Sequence, residues 1–194
     1  MIKEKLEQAV WILRTLFQLG KTSGSTGNIS FREEDKIYIS QSGTCFGTMT
    51  SENFSIMDIE GNLLNGKKPS KEFPLHLSCY KRYPDVHAVI HTHGRFGVLW
   101  SCIPDLDTLN CIPDNTPYLK MKLGKIHLVP YEQPGTPELF AAFENCMGEE
   151  KGYLLKQHGA LVCGKNLMDA FYGIEELEES ACIAWNLYQK EISV

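Results

Sequence analysis

The sequence predicts one α/β domain over residues 1–194, with a largely antiparallel sheet covered by helices. Three observations predict it. Two pairs of short apolar runs are each joined by a tight polar turn, as in hairpins. Apolar residues at helical spacing open and close the chain. No linker, repeat or low-complexity stretch divides the 194 residues, which suffice for a substantial core.

Leu6, Ala9, Val10, Leu13, Leu16 and Phe17 recur at helical spacing, so a helix opens the chain, and Gly20 and Gly24 punctuate its end. Gly27-Asn28 leads into a strand at 29–32. Residues 33–36 turn it, and 37–39 return. Residues 54–59, the turn Glu60-Gly61-Asn62 and Leu63-Leu64 make a second hairpin. A helix starts near Phe73-Pro74, where proline suits a first turn, and runs to about Tyr83. Val86, Ala88 and Ile90 alternate along a strand and share one face, which leaves the other face to His91 and His93. Residues 99–117 are loop-rich and show no readable period. Residues 125–130 form a strand, and Thr136 caps a helix that runs to about Met147. Strands follow at 153–155 and 160–162. Asn166 caps the last helix, where Ala170, Ile174, Leu177, Ala181, Ala184 and Tyr188 alternate steps of four and three. Glu175, Glu176, Glu178 and Glu179 read as its solvated acidic face, and the tail beyond that helix is short.

A formal charge of −5 gives no general affinity for nucleic acid or an anionic membrane. No stretch reaches the roughly 20 apolar residues that span a membrane. Cys45, Cys79, Cys102, Cys111, Cys146, Cys163 and Cys182 are odd in number, contain no CxxC, and follow no secretory-type apolar run, so a reduced, cytoplasmic protein is expected. Their thiols read as packing residues.

His91 and His93 place their backbones roughly 7 Å apart on one strand face. Two imidazoles at that spacing can reach one metal ion at about 2.0–2.1 Å each. His158 is the candidate third ligand, in competition with His76, His87 and His127, which read as structural. Three protein ligands with a fourth position open are the set of a catalytic metal. Such a metal needs a carboxylate nearby to move protons. Glu72 stands just before a helix, beside the candidate anion binders Ser70 and Lys71; its plain alternative is a first-turn carboxylate that stabilises the helix. Ser25-Thr26-Gly27-Asn28 and Ser42-Gly43-Thr44 are glycine-containing turns of the kind that expose N–H groups to a phosphate, though most such turns are only turns. No Walker A or dinucleotide fingerprint occurs.

Gly27-Asn28-Ile29-Ser30, Ser42-Gly43-Thr44, Pro69-Ser70-Lys71-Glu72 with Leu75-His76, Ile90-His91-Thr92-His93 and Gln157-His158-Gly159 together resemble the class II aldolase/adducin family in order and approximate spacing. The resemblance implies a three-layer α/β/α sandwich and one zinc ion (Zn2+) per chain held by His91, His93 and His158. It implies Glu72 as the acid/base that also ligates zinc at rest. It implies a phosphate pocket built from Ser25, Gly27, Asn28, Ser42, Gly43, Ser70 and Lys71. It also implies a homotetramer in which Tyr118 reaches a neighbouring site, whereas from the residues alone Tyr118 reads equally as a core tyrosine.

Thr116-Pro117-Tyr118-Leu119-Lys120-Met121 with Gly124, Leu128-Val129-Pro130-Tyr131, Pro134-Gly135 and the acidic run 175–179 are similar to the family's 3-oxo-tetronate 4-phosphate decarboxylases. That finer likeness implies a phosphorylated sugar acid as substrate, decarboxylated to dihydroxyacetone phosphate through an enediolate that zinc stabilises. The family's L-fuculose-phosphate aldolases share the metal and phosphate segments, but usually carry a second serine in place of Lys71 and a longer tail. A sugar-phosphate aldolase or 4-epimerase is thus the alternative. A non-catalytic adducin-like interaction domain and a Cys–His hydrolase are remoter ones.

Overall fold

Helix α1 (Ile2–Gln18) buries Ala9, Ile12, Leu13 and Leu16 as one stripe and leaves Phe17 at its exposed end. The structure, a computed structural model, describes residues 2–192. Strands β1 (Asn28–Glu33) and β2 (Lys36–Ser40) form the first hairpin, β3 (Phe54–Met57) and β4 (Leu63–Asn65) the second. Helix α2 (Phe73–Arg82) leads to β5 (Ala88–Thr92), and α3 (Arg95–Ser101) and α4 (Pro117–Leu123) precede β6 (Ile126–Val129). Helix α5 (Pro137–Cys146) is capped by Thr136, whose hydroxyl oxygen accepts from the Leu139 N–H. Strands β7 (Gly152–Leu155) and β8 (Gly159–Gly164) pair tightly, and α6 (Leu167–Ile192) ends the fold.

The eight strands lie in the order β4-β3-β2-β1-β5-β8-β7-β6. Every neighbouring pair is antiparallel except β6 with β7. Helices α1, α3, α4 and α6 cover one face, over Ile29, Phe31, Ala88, Ile90 and Val162. Helices α2 and α5 cover the other, over Ile37, Ile39, Val89, Tyr153 and Leu161. This is a three-layer α/β/α sandwich with a largely antiparallel sheet. Burying one such aliphatic side chain is worth about 1.5–3 kcal/mol, so β5, covered on both faces, is firmly anchored. Among the described residues no helix is long and apolar enough to cross a membrane.

One local expectation is corrected. Val86 does not share a face with Ala88 and Ile90: it precedes β5 and packs in the α2/α5 layer, whereas they pack in the opposite one. Val89 is buried too, because a central strand has no solvent side and its burial does not alternate. The loop-rich stretch 99–117 lies between two short helices, since α3 runs through Ser101 and α4 begins at Pro117. Each of these helices has only seven residues, too few to display a helical period.

Candidate active site

His91 lies two residues after Val89, so it points into the α2/α5 layer. His93 follows the end of β5, and His158 sits in the turn between β7 and β8. Thr92 pairs with Ala160, which brings that turn against the end of β5. A side chain at Gly159 would run into the Thr92 carbonyl, so glycine permits the close approach. Glu72 is the residue immediately before α2.

Nε2 of His91 is 3.0 Å from Nε2 of His93 and 3.3 Å from Nε2 of His158. Glu72 brings Oε2 to 3.5 Å from His91 Nε2, and Oε1 to 3.1 Å from His158 Nε2. All four ligand atoms lie within 4.8 Å of one another. Nδ1–H of His91 donates to the Ala160 carbonyl over 2.9 Å, which leaves its Nε2 as a bare lone pair in the neutral ring. Burial keeps His91 well below the usual imidazole range and pushes His93 down to about 4. Burial also works to raise the Glu72 carboxyl. The neighbouring His91 and His158 imidazoles and the Asn28 amide act the other way and hold it well below the usual carboxylate range.

With His91 neutral, that carboxylate faces a lone pair where it needs a cation. Glu72 Oε1 and His158 Nδ1 are buried and lack a hydrogen-bond partner. A cluster of electron pairs at these distances is repulsive unless a positive centre lies among them. Three imidazoles and one carboxylate suit a borderline divalent ion such as zinc.

Beside the cluster is a cavity of about 230 Å³. Ser25, Gly27, Asn28, Ser42, Gly43, Ser70 and Lys71 all line it, together with Glu72 and His93. Lys71 donates to the Pro134 carbonyl over 3.4 Å and lies against Gly135, where a Cβ would meet its side chain. The cavity thus joins backbone turns and one cation to the histidine cluster, an arrangement suited to a small anionic molecule with its reacting end at the histidines.

Residues 7–185 match the family described as Class II Aldolase and Adducin N-terminal domain. The chain belongs to that family. It is 38% identical to a 3-oxo-tetronate 4-phosphate decarboxylase of Haemophilus influenzae, over 96% of this chain and 89% of that protein. It is 36% identical to an L-fuculose phosphate aldolase of Methanocaldococcus jannaschii, over 90% and 92% respectively. Its fold superposes on the crystal structure of YgbL from Escherichia coli with a TM-score of 0.91 at 34% identity, covering 94% of this chain and 88% of that one.

Within this class II aldolase fold, the remaining candidate side chains take distinct places. Asn28 lines the cavity, but both ends of its amide are engaged: Nδ2 donates to Glu72 Oε2 over 2.9 Å, and Oδ1 lies 2.5 Å from Nε2 of His76. His76 is fully buried next to the site, whereas His87 is exposed and His127 contacts the Cys146 carbonyl. Tyr118 is no core residue; it is 62% exposed on α4 and does not line the cavity of its own chain.

Glu178 corrects the picture of a solvated acidic face. It is 1% exposed and accepts from the N–H groups of Phe96 (3.3 Å) and Gly97 (2.9 Å), in the first turn of α3. Burial raises its carboxyl. The cause is tertiary: α3 folds back over α6, and Gly94 and Gly97 leave room for the carboxyl there. Glu178 thereby tethers the segment that follows His93.

Proposed function

We propose that residues 1–194 form one class II aldolase-type domain acting as a carbon–carbon lyase, with zinc held by His91, His93 and His158 and, at rest, by Glu72. We infer that it decarboxylates 3-oxo-tetronate 4-phosphate to dihydroxyacetone phosphate. The observation that carries the lyase reading is the histidine–Glu72 cluster opening onto a cavity that holds Lys71 and two glycine turns. Decarboxylation is favoured by the decarboxylases among the relatives. A cytoplasmic setting belongs to the same reading and rests on the odd cysteine count.

In such a substrate the carboxylate hangs on a hydroxyl-bearing carbon beside a ketone. When that C–C bond breaks, carbon dioxide leaves and the electron pair stays behind on the carbon and ketone. Bound zinc supplies a Lewis acid for the charge collecting on oxygen. Glu72, in its acid form, gives its proton to the carbon and completes the hydroxymethyl ketone. Seating an anion beside Glu72 strips away water and raises its proton affinity, which favours that acid form. Ser25, Gly27, Ser42, Gly43, Ser70 and Lys71 hold the phosphate, so remote binding orients the reacting end. Asn28 contributes by its hold on Glu72. Tyr118 completes the site of a neighbouring chain in a homotetramer; its exposure beside Met121 and Tyr172 on the single chain supports a covered face.

The runner-up is an aldolase of the L-fuculose-phosphate type, or a 4-epimerase, kept by the 36% identity to an aldolase. Purified protein given 3-oxo-tetronate 4-phosphate is expected to release carbon dioxide and dihydroxyacetone phosphate in step, and to stop when zinc is chelated. An aldehyde co-product from fuculose 1-phosphate, with no carbon dioxide from any oxo-acid, moves the assignment to aldolase. Lys71→Ala removes a charge-assisted bond worth about 1.5–3 kcal/mol, so KM for the phosphorylated substrate should rise about 10- to 100-fold. Equal weakening of an unphosphorylated analogue shows that Lys71 does not read the phosphate. Mixing inactive Glu72→Gln chains with inactive Tyr118→Phe chains should recover activity. None in demonstrably mixed tetramers removes Tyr118 from the shared site.

A further inference from the structure

Behind Glu72 runs a continuous line of buried polar groups. Tyr80 Oη lies 2.6 Å from Ser30 Oγ, Ser30 Oγ lies 2.7 Å from His76 Nδ1, and His76 Nε2 reaches Asn28 Oδ1. Asn28 Nδ2 then reaches Glu72 Oε2. None of the five residues is more than 5% exposed. Glu72, His76 and Tyr80 succeed one another at intervals of four, while Asn28 and Ser30 are two apart on β1. Four helical residues rise about 6 Å and two strand residues about 6.6 Å, so the two rows stay in step and interleave.

The direction of every bond in this line is dictated. A carboxylate only accepts, so the Asn28 amide donates to Oε2 and its Oδ1 must accept. His76 therefore carries its hydrogen on Nε2. The ring is neutral, because burial pushes its imidazole down to about 3. Its Nδ1 must then accept from Ser30, and Ser30 accepts from Tyr80. An amide N–H does not release its proton at accessible pH, so the line cannot conduct protons to Glu72. What it can do is prevent the Asn28 amide from turning over, which would set Oδ1 against the carboxylate.

We propose that His76, Ser30 and Tyr80 are positioning residues for Glu72. They lock the Asn28 N–H onto Oε2, and Oε1, which has no hydrogen-bond partner and lies 3.1 Å from His158 Nε2, is the oxygen left for proton transfer. Apolar side chains would fill the space between α2 and β1 without the cost of dehydrating five polar groups, so packing alone does not account for the line. The inference rests on Glu72 as proton donor, and deepens that reading.

The test has two arms. Exchange of a hydroxymethyl C–H of dihydroxyacetone phosphate in D2O reads proton transfer by Glu72 in the zinc-loaded enzyme, whether the full reaction is decarboxylation or aldol cleavage. His76→Phe should slow exchange about 10- to 100-fold, the worth of one hydrogen bond to a charged group, with KM and zinc content unchanged. His76→Gln, which offers both a donor and an acceptor, should recover most of the loss. Tyr80→Phe and Ser30→Ala should give graded smaller losses, and they decide the matter if His76→Phe does not fold. Full exchange in folded His76→Phe or in Ser30→Ala, or losses that follow zinc content and thermal stability alone, overturns the proposal. The second arm needs no activity: 15N spectra of histidine-labelled protein should show His76 neutral with its hydrogen on Nε2. A hydrogen on Nδ1 reverses the line and overturns the proposal. Wild-type protein inert in the exchange and product assays, yet with the expected tautomer, refutes the assigned function while the hydrogen-bond line stands.

Discussion

Glu72→Gln is expected to lose about 10²–10⁴ in turnover while keeping most of its zinc. The substitution preserves volume at a site only 5% exposed, so α2 and the cavity wall have no reason to move. Its side-chain oxygen can still accept from Asn28 Nδ2, so the local hydrogen bond survives. The three imidazoles that make the metal set are untouched. What disappears is the carboxyl proposed to carry the proton to carbon. Metal analysis beside a turnover assay separates the two effects. Retained turnover at full metal content removes Glu72 from proton transfer; a parallel fall of metal and rate makes it chiefly a ligand.

His91→Ala should abolish metal occupancy, and His158→Ala should reduce it severely. His91 brings its Nε2 to 3.0 and 3.3 Å from those of His93 and His158, and its ring is oriented by the Ala160 carbonyl behind it. Its removal leaves only two imidazoles and a carboxylate for the metal. A ligand at 100 times its dissociation constant stabilises the fold by about 2.7 kcal/mol, so zinc should raise the melting temperature of the wild type clearly. The same addition should leave His91→Ala where it was. Full occupancy in either variant takes that histidine out of the ligand set.

The histidine pair was legible because a two-residue period survives errors of detail. The face assigned to Val86 was wrong, yet His91 and His93 meet all the same. Glu72, Ser70 and Lys71 were legible because they are contiguous and abut a recognisable helix start. Helices α3 and α4 were hidden by their brevity. Glu178 was hidden because solvent exposure on one side of α6 depends on α3, some 80 residues earlier in the chain, folding over it. His76 reads as merely structural in the sequence because its partners Asn28 and Ser30 lie 48 and 46 residues away. The intervals of four from Glu72 to Tyr80 were available in the sequence. They acquire meaning only when β1 is known to lie beneath α2.

The pairing of β5 with β8 places Leu161 opposite His91 and Ala160 opposite Thr92. A slip of one residue between these strands would shift His158 along β5 and break the Ala160 anchor of the His91 ring. A one-residue error in the path of β5 itself would turn His91 to the opposite layer. The three candidate ligand histidines therefore converge in a single alignment of strands that are distant along the chain. On the proposed metal reading, occupancy is a quality check on assembly: a chain that takes up the ion has the middle of its sheet in register, and a mispaired chain is marked by having none.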